Sequence, residues 1–201
     1  MHLWHTNDRA NKLTMNLSQA FPEIAPHIAG AIEQLGNIPE SLLQATEQSA
    51  QLIAQQLMAG GKLMLATSAG NRGLGDALCF DLLERYKQQQ PSLPVMQLPG
   101  NITESAADFF QLAETLGSKD DVLLVMNDFG LESQSLLAEQ LYVNRGIYCV
   151  YLGSPAETPI DTGFSVQIPL PGENKYRQLE MSLFILHCLS ARIQSIVFKG
   201  C

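Results

Sequence analysis

The sequence predicts an α/β fold: a three-layer sandwich in which one open, five-stranded parallel sheet is covered by helices on both faces and preceded by N-terminal helices. Three observations predict it. Short apolar runs without helical period, at residues 62–67 and 121–126 above all, read as strands buried on both faces. These runs alternate with segments whose apolar residues recur every three to four positions, the pattern of crossover helices. The first run ends among Gly70, Gly73 and Gly75, which supply a strand-to-helix turn.

In chain order, residues 1–17 are polar and weakly patterned, and chain ends of this kind are poorly tied down. Ile24, Ile28, Ile32 and Leu35 mark one face of a helix that begins near Pro22 and stops at Gly36 and Asn37. Pro39 opens a second helix through Leu42, Ala45, Ser49, Leu52, Ile53 and Leu57, which Gly60 and Gly61 end. Residues 1–59 are therefore read as a helical segment for oligomerisation, and 60–201 as the α/β domain. Strand 62–67 passes through a turn at 68–75 into a helix at 76–89 carrying Leu78, Leu82 and Tyr86. A strand at 94–98 follows, then a helix at 103–116 with Ala107, Phe110, Ala113 and Leu116 on one side.

The apolar run of 121–126 suggests a central strand, and a helix at 133–144 leads to strands at 147–152 and 164–168. The closing helix, 175–198, carries Leu179, Leu183, Leu186, Ile193 and Val197 on one face and Glu180, Phe184 and His187 on an adjacent one. If the strand order is 2-1-3-4-5, it reverses between strands one and three. Ligands bind beyond the carboxyl ends of strands at such a reversal. The segments meeting there are 68–75, with Ser68, Gly70, Asn71, Arg72 and Gly73, and 127–132, with Asn127, Asp128, Gly130 and Glu132. The first offers backbone N–H groups with a helix dipole behind them, a setting that favours an anion.

Composition narrows the function. A chain of 201 residues, 46% hydrophobic and 16% charged, suits a globular protein with a large buried interior. The formal charge of −8 argues against direct binding of nucleic acid or of an anionic membrane. There is no long apolar run and no secretory pattern near Met1, so a cytoplasmic location is expected. Cys79, Cys149, Cys188 and Cys201 show no paired spacing and read as reduced thiols. No cofactor and no metal is expected.

Together these residues resemble the sugar isomerase (SIS) domain family, and within it the phosphoheptose isomerases and their relatives that associate with the bacterial replication initiator. The resemblance covers roughly 58–196. It rests on Gly60-Gly61-Lys62, on Asp76 to Phe80 with Arg85-Tyr86, on the Gly130 turn, on Arg145-Gly146, and on Arg177, Glu180 and His187. It implies a flavodoxin-like sheet, N-terminal helices that build a homotetramer, and a phosphosugar site shared between subunits. The chain departs from the family at that site. The family's glycine loop, close to Gly-Asn-Gly-Gly-Ser, is two residues longer here. Its serine-rich loop after strand three is replaced by Asn127, Asp128, Phe129, Gly130, Leu131 and Glu132. At 4 Å and an effective dielectric of 20, each like-charge contact between a carboxylate and a phosphate costs about 4 kcal/mol.

The family's isomerases carry a histidine and a glutamate on the first helix of the domain, and a glutamine and a histidine on the last. These groups bind a metal and move protons. The matching positions here are Cys79, Leu83, Leu179 and His187. Aldose–ketose isomerisation needs a base beside the substrate carbonyl, and Leu83 cannot serve. The expected function is therefore binding of a sugar phosphate or sugar nucleotide without isomerase activity, in a homo-oligomer, with a protein as a further candidate partner. The rival reading is an active phosphosugar isomerase with Glu180 and His187 as the acid–base pair and Arg72 as phosphate anchor.

Overall fold

A computed structural model describes residues 21–84, 90–99, 106–126, 131–154, 163–171 and 174–198. The chain divides into two compact units, Met1–Pro39 and Glu40–Cys201. The first contributes helix α1, Ala25–Gly36, which starts three residues later than Pro22 suggests and has Pro26 in its opening turn, where a missing N–H costs nothing. The backbone N–H of Asn37 closes it on the carbonyls of Glu33 and Gln34.

The second unit opens with α2, Glu40–Met58, and continues as β1 (Leu63–Thr67), a 3₁₀ turn (Ala69–Asn71), α3 (Arg72–Leu83), β2 (Val95–Gln97), α4 (Ala106–Leu116) and β3 (Val122–Met126). It closes with α5 (Leu131–Arg145), β4 (Tyr148–Gly153), β5 (Val166–Pro169) and α6 (Lys175–Val197). The strands form one parallel sheet in the order β2-β1-β3-β4-β5, the order that puts the reversal beside β1.

Every residue of β1 and β3 is buried, as two-sided coverage requires. Side chains alternate between two cores. Met64, Ala66, Leu123 and Val125 pack with Phe109, Phe110 and Ala113 of α4 and with Ala138 and Leu141 of α5. Leu63 and Leu65 turn to the opposite face, the side of α2, α3 and α6. Each fully buried leucine contributes about 2 kcal/mol.

One expected helix span and two expected helix faces need correction. The helix expected at 76–89 begins at Arg72 and ends at Leu83, so Gly73 and Gly75 lie inside it rather than in a loop. Gly75 is there for contact: a Cβ would stand 2.8 Å from Gln97 Nε2 and 2.9 Å from Thr67 Cγ2. In α4 the buried residues are Phe109, Phe110 and Ala113, and Leu116 is exposed. In α6 the buried stripe is Met181, Ser182, Ile185, Leu186, Leu189, Ser190 and Ile193, while Leu179 and Leu183 are each 39% exposed. The serines read as polar in sequence, but a small hydroxyl that finds its own partner can line a buried helix contact. Ser182 Oγ donates to the Gln178 carbonyl, and Ser190 Oγ to Asp81 Oδ2.

Candidate functional site

The carboxyl end of β1 builds the first cluster. Ser68 leaves the strand with extended backbone, and its N–H donates to the Met126 carbonyl of β3 at 3.2 Å. The 3₁₀ turn holding Gly70 and Asn71 follows, with Asn71 N–H on the Ser68 carbonyl at 3.0 Å and Asn71 Nδ2 directed to Met126 O at 3.4 Å. Arg72 and Gly73 are exposed in the first turn of α3. The Asn71 side chain makes no capping bond to that helix.

Beneath this turn lies a residue that the sequence reading missed. The register pairs Leu65 with Gln97, so Gln97 at the end of β2 stands beside the end of β1. Its Nε2 donates to Thr67 Oγ1 at 2.8 Å and to the Arg72 carbonyl at 3.3 Å. Thr67 is fully buried. Gln97 Oε1 and Ser68 Oγ are each buried without a hydrogen-bond partner among the described residues. A buried polar atom left in this state costs about 1–3 kcal/mol.

A second cluster joins α3 to α6. His187 Nδ1 lies 2.8 Å from Asp81 Oδ2, Ser190 Oγ donates to the same oxygen at 3.2 Å, and Gln194 Nε2 donates to the Asp81 carbonyl at 3.0 Å. Asp81 is largely buried and His187 largely exposed. Nine residues separate Arg72 from Asp81 along α3, about 14 Å of helix. The turn and the histidine are therefore two sites within one chain.

The structure does not bring Glu180 to His187. Seven residues apart, they stand about 10 Å apart along the axis of α6. Glu180 instead takes the Arg177 guanidinium on its Oε2, and His187 takes Asp81. Asp81 carried a signal in sequence, a carboxylate between Leu78 and Leu82 on a helix, but nothing there pointed to a partner 106 residues away. Asn127, Asp128 and Gly130 lie outside the described residues, and Glu132 is placed only as a backbone position in the first turn of α5.

At the positions matched to the family's first-helix histidine and glutamate, Cys79 is half-buried and Leu83 exposed. Burial, and secondarily the charge of Asp76, push the Cys79 thiol up from its ordinary value, so it stays protonated near neutral pH. Among the described residues no group of three or more His, Cys, Asp or Glu side chains could hold a metal ion. Nor does any described helix have the length and apolarity to cross a membrane. A groove of about 540 Å³ opens elsewhere, lined by Leu52 of α2, Tyr142 of α5, Tyr148 of β4 and Val166 of β5, and by none of the candidate residues.

No family model matches the chain. It is 26% identical over 187 residues to the phosphoheptose isomerase of Thiobacillus denitrificans, covering 87% of this chain and 94% of that one. Its fold matches the phosphoheptose isomerase of Neisseria gonorrhoeae with a TM-score of 0.68 at 19% identity, over 87% of this chain and 98% of that one. It also matches the NanR protein of Vibrio vulnificus, solved in complex with ManNAc-6P, with a TM-score of 0.56 at 12% identity, over 92% of this chain and 66% of that one. The resemblance read from the residues therefore holds: over most of its length the chain is similar in sequence to phosphoheptose isomerases, and it shares their five-stranded α/β fold.

Proposed function

We propose that this chain binds a sugar phosphate or sugar nucleotide without isomerising it, and acts through binding or regulation. One observation carries the reading: the two positions matched to proton-moving groups of the isomerases hold a thiol kept neutral by burial and an apolar side chain. Isomerisation through an enediol needs a base within hydrogen-bond reach of the substrate carbon. Neither Cys79 nor Leu83 supplies one. The similarity to phosphoheptose isomerases and the ManNAc-6P complex of a structural neighbour support a sugar phosphate as the ligand class.

The ligand's place in this reading is the turn formed by Ser68, Gly70, Asn71, Arg72 and Gly73, with Asn127, Asp128, Gly130 and Glu132 proposed as further ligand-binding residues. Exposed Phe80 and Leu83 on α3, with Leu183 and Phe184 on α6, support a contact surface for a second copy of the chain or for a protein partner; the homotetramer and the cytoplasmic location belong to the same proposal and rest on the resemblance alone. A second reading keeps one observation on its side. Asp81 orients His187 as a carboxylate orients a working imidazole, which favours residual proton transfer.

Thermal unfolding against a panel of sugar phosphates and nucleotide sugars tests the proposal, since a ligand specific for the folded state raises the melting temperature. A shift with at least one member, and no ketose formed from any aldose phosphate, is expected. Turnover that disappears in His187→Ala would establish the second reading instead. A panel with neither shift nor turnover would sink both.

A further inference from the structure

We infer that Gln97 is a positioning residue for the candidate ligand turn, its amide tying the first turn of α3 to the end of β1. The inference rests on the binding function proposed above and names a residue which that function needs. Its geometry is specific. The Arg72 carbonyl can only accept, so the amide nitrogen must face it, and the same nitrogen reaches the buried Thr67 hydroxyl. That seat exists only because residue 75 is glycine, for a Cβ there would stand within 2.9 Å of both the amide nitrogen and its carbon.

From the other side Asn71 is directed to the Met126 carbonyl. The turn is thus held from β2 by Gln97 and toward β3 by Asn71, directly above the reversal of strand order. Packing does not account for Gln97. Its Oε1 has no hydrogen-bond partner among the described residues, so the bonds to Thr67 and to the Arg72 carbonyl are made at the cost of a buried orphan. A residue that leaves its own oxygen unpaired while it ties two elements together points to a geometry kept for another purpose. Here that purpose is a fixed direction for the N–H groups of the α3 start, so that an anionic group meets them already aligned.

The test compares the full chain with Gln97→Ala and with Gln97→Met, which keeps the bulk and removes the amide. Two measurements are made: hydrogen exchange of backbone amides 70–74, and affinity for ManNAc-6P and glucose 6-phosphate, with inorganic phosphate as the bare anion. Both variants should speed exchange at 70–74 by about tenfold and weaken sugar-phosphate affinity by about tenfold, with β1 and β3 amides unchanged. Gly75→Ala, which displaces the amide from the opposite side, should do the same. Unchanged exchange at 70–74 in both Gln97 variants overturns the tie whatever binds. Faster exchange with unaltered affinity reduces Gln97 to a structural role and overturns its positioning role. If the wild type binds none of the three probes while the variants exchange faster, the tie is real, but the proposed function falls and the positioning role falls with it.

Discussion

The two ends of β1 carry polar constellations of opposite character. At the amino end Asp121, with a side chain 4% exposed, accepts from the Lys62 N–H at 2.8 Å, from the Ser118 N–H at 2.7 Å and from the Lys62 ammonium. Each of its oxygens has a partner. At the carboxyl end Gln97 Oε1 and Ser68 Oγ are buried with none among the described residues. The same strand is therefore anchored by saturated hydrogen bonding at one end and left unsaturated at the other. A parallel sheet gathers ligands at its carboxyl end, which is where the proposed ligand turn lies.

The largest effect should come from breaking the saturated end. Asp121→Ala strands a partly buried ammonium and two backbone donors, and should cost about 3 kcal/mol of unfolding free energy. Urea denaturation reads this directly. Ligand response per folded molecule should not change. A loss under about 1 kcal/mol would mean that the amino end is no anchor and that the contrast between the ends is false.

At the unsaturated end the sign should differ. Thr67→Val combined with Gln97→Met removes a donor, an acceptor and the orphan together, and replacing both partners of a buried hydrogen bond with apolar groups is nearly neutral. The double variant should stay within about 1 kcal/mol of wild type in urea and yet lose its thermal response to sugar phosphates. A loss as large as that of Asp121→Ala would place both ends in one class.

The architecture was legible because buried parallel strands announce themselves as unbroken apolar runs, as Val122–Met126 does. Alternation with helical periods then left few topologies, and the order 2-1-3-4-5 was among them. The candidate turn was legible in place but not in form. Gly73 and Gly75 look like breakers to any local rule, yet Gly75 sits in a helix because Gln97 and Thr67 need the room. Gln97 itself left no trace: one polar residue in a three-residue strand, meeting a threonine 30 positions away only through the register. The pairing of Asp81 with His187 was hidden in the same way. Tertiary partners across such separations are set by the sheet order and helix packing, which local pattern does not encode.

The smallest effect should appear on the surface, where an ion pair is saturated but exposed. Arg192 meets Glu47 through two bonds, Nε to Oε2 at 2.8 Å and Nη2 to Oε1 at 2.7 Å, and Gln51 adds a third. The Arg192 hydrogen bonds, then that of Gln51, lower the Glu47 carboxyl from 4.5 to about 2. A depressed carboxyl stabilises the fold above its unfolded value and loses that contribution as pH falls toward its folded one. The contribution of Glu47 should therefore be complete near pH 5 and fade between pH 4.5 and 2. Solvent screens both partners, each about 40% exposed, so the effect should be smaller than either change at the ends of β1. Urea midpoints of wild type and Glu47→Gln should differ slightly at pH 6 and converge as the solution is acidified. If the gap at pH 6 rivals that of Asp121→Ala, then saturation alone, without burial, sets the strength of an anchor, and the contrast drawn along β1 must be restated in those terms.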